Sequence, residues 1–500
     1  MKHLCTLCCA ALLALSAAAQ PGYRPTPENL ASRQQFADAR FGIFLHWGLY
    51  AMLAQGEWAM TNLDLNYREY EKLAGGFYPA KFDAQAWVTA IREGGARYIC
   101  FTTRHHDGFS MFHTAQSPYN IVDATPFARD VLKELCDECH RQGIRIHFYY
   151  SLIDWWREDA PRGRTGLGTG RPEGTEDADS YFAFMKAQLT ELLTNYGEVG
   201  AIWFDGVWDQ DRNPDFDWRL DELYALIHRL QPACLIINNH HLDPFEGEDA
   251  QVFERDLPGE NTAGYSEQGI SQLPLETCQT MNGMWGYKIT DQNYKSSDEL
   301  IRYLAGAAGR GANLLLNIGP QPDGELPAAA LERLEEMGSW LRTNGQTIYG
   351  TQAGPVEPRS WGVTTRKGEK VYVHILDWPD TELFLPLPAS QLRVTGAVRV
   401  RNLLQGTASL EFWTTYDANE VFPALNAADQ LLRKELTAAA QSTGAAEATE
   451  ATETTEPAAA DTTAANEGLL AQVAAADSTA QSDAAVSPLR CTDGALTSVA

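Results

Sequence analysis

Apolar runs of strand length, each ending on polar or aromatic side chains, recur through the first two thirds of this chain. Phe41-Gly42-Ile43-Phe44-Leu45-His46 is one. Tyr98–Asp107 closes on Arg104-His105-His106-Asp107, Ile144–Tyr150 on two tyrosines, Ala201–Asp205 on a carboxylate followed by Gly206, and Leu235–His240 on Asn238-Asn239-His240. An unpaired carboxylate costs several kcal/mol to desolvate, so a buried strand that ends on one does so for a reason. Strand after strand delivering reactive groups at its C-terminal end is how a (β/α) barrel builds an active site. Helical segments separate the runs. Asp130–Gln142 and Asp217–Leu230 are two of them, and Tyr181–Tyr196 places Phe182, Met185, Leu189, Leu192 and Leu193 at helical spacing before Gly197. The alternation predicts parallel strands with crossover helices. A doubly wound open sheet is the rival fold, but no G-x-G-x-x-G follows a strand here.

The predicted α/β fold is a (β/α)8-like, TIM-type barrel over residues 21–350, whose last strand is Asn313–Ile318. Phe253, Glu276 and Thr280 lie on or near strands six and seven. From Thr351 the texture shifts to short strands such as Lys370–Ile375, Leu383–Leu385 and Ala397–Val400, read as a small β-sandwich over 351–436. Residues 437–500 turn to alanine, threonine, glutamate and serine, a composition that cannot bury enough surface to offset its ordering entropy; they read as a largely disordered acidic tail. The first 20 residues read as an export signal. Lys2 and His3 precede an apolar stretch to Leu15, which is too short to stay in a membrane as a spanning helix, and small residues follow. The expectation is an exported soluble protein, periplasmic or extracellular.

The formal charge of −27 argues against nucleic acid as a partner, because phosphates need a basic surface. Much of the acidity sits in the tail, where the last 60 residues hold nine acids and one arginine. It therefore says little about the active site. Cys136-x-x-Cys139 has no second C-x-x-C to complete a zinc site, and no H-x-H or H-E-x-x-H occurs. Neither a metal nor another cofactor is expected.

The motifs together resemble the α-L-fucosidases of glycoside hydrolase family 29. The resemblance rests on Phe41–Gly48, Thr102–Phe109, Tyr149–Leu152, Trp203–Gly206 and Asn313–Pro320, with Trp340–Gly345 and Ile348–Thr351 downstream, and it covers roughly residues 33–351. It implies a retaining exo-glycosidase that removes terminal α-L-fucose from fucosylated glycans through a covalent glycosyl-enzyme. Asp205 matches the family nucleophile. Glu254 is the favoured acid/base, with Glu276 as the competing candidate, and an apolar setting beside Phe253 is expected to raise the acid's pKa. His46, His105 and His106 match sugar-contacting histidines, and Glu57, Trp58, Tyr149 and Trp203 complete the implied pocket. His240 stands where many relatives carry an arginine, and Leu275 where tryptophan is common. A binding protein that has lost turnover, and a hydrolase of a related pyranoside such as a galactoside, are the alternatives.

Overall fold

The computed structural model describes residues 22–377 together with the backbone of four later strands, 399–404, 407–412, 489–492 and 495–498. The predicted signal segment lies outside the described residues, and so does the tail apart from its last two strands.

Eight parallel strands form the core: β1 (Phe41–Leu45), β2 (Tyr98–Arg104), β3 (Arg145–Ser151), β4 (Ala201–Asp205), β5 (Leu235–Asn239), β6 (Gln251–Glu254), β7 (Leu275–Thr280) and β8 (Ala312–Ile318). Their order is β5-β4-β3-β2-β1-β8-β7-β6. The two ends meet at a thin seam, where the ladder shrinks to one parallel bridge between Ile237 and Ala250. The rival open doubly wound sheet is thereby set aside. Asp249 strengthens the seam. Its N–H donates to the Ile236 carbonyl (2.8 Å) and its Oδ2 accepts the Ile236 N–H (2.8 Å), while Oδ1 takes Arg33 Nη2 (2.6 Å) from the first helix.

The helices begin where the sequence supplies caps. Asp130 caps Val131–Gln142, Asp177 caps Ala178–Asn195, and Ser296 forms a capping box with Glu299 ahead of Ser297–Gly309. Each cap satisfies amide donors that the first turn leaves without partners. The apolar stripe of each helix then covers the outside of the sheet.

Inside the barrel, side chains alternate with a period of two. Phe44, Tyr98, Cys100, Tyr149, Ala201, Trp203, Leu235, Ile237, Val252, Cys278 and Leu315 form one buried cluster. Counting two residues on from a core residue therefore reaches the barrel mouth: Phe44 to His46, Trp203 to Asp205, Ile237 to Asn239, Val252 to Glu254. This parity decides which side chains enter the site.

The same compact unit holds the antiparallel pair β9 (Gln352–Ala353) and β10 (Gly362–Lys367). A second unit contains β11 (Lys370–Ile375), β12 (Arg399–Leu404) and β13 (Thr407–Phe412), paired antiparallel with β13 between the other two. The rest of the expected sandwich, Leu383–Leu385 included, lies outside the described residues. Leu489–Thr492 and Ala495–Ser498 form an antiparallel pair near the end of the chain. No helix among the described residues is long and apolar enough to cross a membrane.

Candidate active site

The C-terminal mouth of the barrel opens into a pocket of the concave, aromatic-lined kind that small-molecule sites use. Asp205 and Glu254 line it, with His46, His105, His106, Tyr149, Trp203, Glu57 and Trp58.

Asp205 ends β4. Gly206, with φ of 110°, lets the chain turn away at once, and a Cβ there would lie 2.7 Å from Ile153 Cγ1. Tyr149 Oη–H donates to Asp205 Oδ2 (2.9 Å), and the Trp208 indole donates to Oδ1 (2.9 Å). Burial pushes the Asp205 carboxyl up to about 6, helped by the charge of Glu254 and opposed by those two donors.

Glu254 ends β6. Its Oε2 accepts from Asn239 Nδ2 (2.9 Å) and lies 3.0 Å from His241 Nε2. Burial pushes this carboxyl up, but the His241 and Asn239 bonds and the Arg255 charge outweigh it and hold the group below the usual glutamate range. The raised acid pKa expected from an apolar neighbourhood is therefore corrected: the partners around Glu254 are polar. Asn239 Nδ2 also reaches Asp205 Oδ1 at 3.4 Å. Two oxygens sharing that nitrogen, at 3.4 and 2.9 Å, can be no more than 6.3 Å apart.

The histidine tautomers are set by their partners. Asn317 Nδ2 donates to the Trp285 carbonyl, so its Oδ1 accepts from His46 Nδ1–H (2.7 Å), which leaves His46 Nε2 as an acceptor. Ser151 Oγ–H donates to the Ile153 carbonyl and accepts from His106 Nδ1–H (2.7 Å), so His106 Nε2 is likewise an acceptor. Burial lowers both imidazoles to about 3. The 3.6 Å approach of His106 Nε2 to Asp205 Oδ2 is thus not an ion pair at neutral pH. Burial also drives His105 down; its ring stacks on Tyr149 at 5.4 Å, and its Nδ1 is buried without a protein partner. Burial raises Glu57, whose Oε2 accepts the Gly286 N–H (2.7 Å). Trp58 stacks on Trp208 at 5.9 Å.

Comparisons with known proteins agree with this geometry. The family model described as Alpha-L-fucosidase matches residues 10–346, more than half of the sequence. The chain belongs to the alpha-L-fucosidase family. It is 30% identical over 412 residues to the plasma alpha-L-fucosidase of Rattus norvegicus, covering 75% of this chain and 84% of that one. Among solved structures, alpha-L-fucosidase isoenzyme 1 from Paenibacillus thiaminolyticus is 32% identical with a TM-score of 0.68, covering 78% of this chain and 100% of that one. A Bacteroides thetaiotaomicron family 29 alpha-L-fucosidase, trapped as a covalent intermediate with 2-fluoro-fucosyl fluoride, is 25% identical with a TM-score of 0.64, covering 80% of this chain and 96% of that one.

Two sequence-derived site residues stand apart from the fucosidase pocket. Glu276 points into the barrel but one layer too deep, in register with Val252 rather than Glu254. It is fully buried, accepts from Tyr98 Oη–H (2.6 Å) and the Trp203 indole (2.8 Å), and does not line the pocket. That depth sets it apart from Asp205 and Glu254, which share the pocket at the barrel mouth. His240 has the wrong parity: Asn239 takes the inward place, and His240 packs beside Phe245 with Nε2 3.1 Å from Glu248 Oε1. It does not line the pocket either. Asn239, His241, Trp208 and Trp285 were missed. Counting two on from Ile237 would have found Asn239; the others sit in loops that carry no periodic signal.

Proposed function

We propose that the pocket hydrolyses terminal α-L-fucosides with retention of configuration, with Asp205 as nucleophile and Glu254 as acid/base. The observation that carries this reading is the Asn239 bridge. Retaining enzymes place their two carboxyl groups close together, about 5–5.5 Å apart, and one amide nitrogen that bonds an oxygen of each holds Asp205 and Glu254 close across the pocket. Asp205 attacks the anomeric carbon while Glu254 protonates the departing oxygen. Water, deprotonated by Glu254, then cleaves the fucosyl ester on Asp205. Tyr149 and Trp208 aim the attacking carboxylate. The acceptor nitrogens of His46 and His106 suit sugar hydroxyls, and Trp58 and Trp203 suit the apolar face of the ring with its C5 methyl. Fucosylated glycans are the substrates this implies.

The test is azide rescue of two variants on an aryl α-L-fucoside. Asp205→Gly should lose nearly all turnover and, with azide, form the β-fucosyl azide. Glu254→Gly should form the α-fucosyl azide, because azide then attacks the fucosyl-enzyme. Undiminished activity in Asp205→Gly, or a β-azide from Glu254→Gly, would reverse these roles or remove them.

A further inference from the structure

Resting on that reading of Glu254, we propose that His241 is a positioning residue that shares one proton with the acid/base throughout the catalytic cycle. His241 comes after β5 with φ of 63°, in the left-handed region that non-glycine residues seldom occupy. Such a conformation persists only where its surroundings enforce it, and it clusters at functional sites. Here it turns the imidazole back over the seam, so that Nε2 meets Glu254 Oε2 at 3.0 Å. Tyr265 stacks on the ring's face at 5.3 Å and holds its plane. Both protein bonds to Glu254 go to Oε2, which leaves Oε1 without a bond from the described residues.

The other groups facing Glu254 cannot supply this proton. Arg255, over the Trp285 ring at 5.1 Å, is cationic but does not release its proton. Asn239 does not titrate. Asp205 and Glu57 are carboxyls that compete for protons, and buried His46 is neutral. The Tyr149 phenol is engaged by Asp205, and the Cys278 thiol opposite Glu254 is raised by burial and holds its proton. His241 alone among these bonds Glu254 through a ring nitrogen that can both hold and release a proton. Its side chain is 20% exposed, which gives water access to the pair.

The proton balance closes. The proton that leaves on the departing sugar oxygen comes from the Glu254–His241 pair. The proton that water gives up, as it attacks the fucosyl ester of Asp205, returns to the pair. Between turnovers the proton rests on whichever partner binds it more strongly, and His241 keeps it within reach of Glu254 above the pH at which a lone carboxyl would have lost it.

The test is the pH dependence of kcat/KM for wild type and His241→Gln, on a fucosylated oligosaccharide and on a dinitrophenyl fucoside. Glutamine keeps a donor near Oε2 but cannot be protonated. An imidazole ordinarily releases its proton about two units above a carboxyl. The alkaline limb of the variant should therefore move about one to two units toward acid. Oligosaccharide turnover should fall about tenfold or more, and turnover of the aryl substrate, whose leaving group departs without a proton, by less than about threefold. His241→Asn, suited to the left-handed backbone, repeats the measurement if the glutamine variant does not fold. An alkaline limb that stays in place, or equal losses on both substrates, overturns the proposal. Glu254→Gly separates the two readings. If azide fails to rescue it, the acid/base assignment falls. If azide rescues it while the His241 limb stays put, only the proton sharing falls.

Discussion

On the proposed roles, the buried Asp205 carboxylate must ionise to react and so sets the acid side of the pH profile. With Asp205 raised to about 6 by burial, kcat/KM is expected to fall about tenfold per unit below that pH, read from initial rates on an aryl fucoside. The stability consequence has the opposite sign. A folded Asp205 that holds its proton up to about 6 binds more protons than the unfolded chain, whose aspartates release near 3.9. Stability from this group is therefore full below about pH 4 and is lost as pH rises through 6. Asp205→Asn removes the buried charge, so its melting temperature should exceed that of wild type at pH 7 and match it near pH 4. Thermal melts at the two pH values decide this; a variant melting below wild type at pH 7 contradicts it. At this scale the sequence was legible wherever a residue continued a strand's inward alternation, as Asp205 and His46 do. It misled at Asn239-His240-His241, where chemical type favoured the middle residue, strand parity chose Asn239, and the left-handed turn beyond the strand brought in His241.

Among the elements, strand positions were legible because buried parallel strands read as unbroken apolar runs; the run Asn313–Ile318 and the observed strand Ala312–Ile318 differ by one residue. Depth within the barrel was not legible, because a period of two gives direction and not height, and so Glu276 competed with Glu254 until their register was known. Gly319 shows how an element end positions a distant loop: a Cβ there would lie 2.6 Å from Tyr287 N and 2.9 Å from the Trp285 carbonyl. The seam between β5 and β6 is the weakest joint of the sheet, and Asp249 is its clasp. Removing one partner of a buried ion pair costs about 3–5 kcal/mol, so Asp249→Ala should lower the unfolding free energy read from denaturant melts by a matching amount. Because the Asn239–Glu254 bond crosses the same seam, kcat/KM should fall as well. A loss of stability with unchanged turnover would show that clasp and catalytic pair are independent.

For the whole molecule, composition spoke to class and hardly to mechanism. The tail adds nine acids against one arginine in its last 60 residues, away from the pocket's motifs in sequence. Five free cysteines within residues 22–377, Cys100, Cys136, Cys139, Cys234 and Cys278, are buried, and burial raises their thiol pKa values, which keeps them unreactive. That suits our proposal that residues 1–20 are an export signal, since oxidising compartments penalise exposed thiols. Expressed in a secreting host, the released protein should have an intact mass lacking about 20 N-terminal residues; a full-length mass in the soluble fraction would refute the proposal.

The thin seam also bears on how this scaffold could change its chemistry. Asp205 and Glu254 sit on strands to either side of β5, and the spacing between them crosses the one joint that a continuous ladder does not hold. That spacing is therefore tuned by a few side chains, Asn239 and Asp249 first among them, rather than by the geometry of the sheet. Parting the joint by about 2–3 Å would admit a water between sugar and carboxylate. A double displacement would then become a single one, and the stereochemical course of the reaction is open to drift by substitution at that joint while the rest of the sheet remains intact.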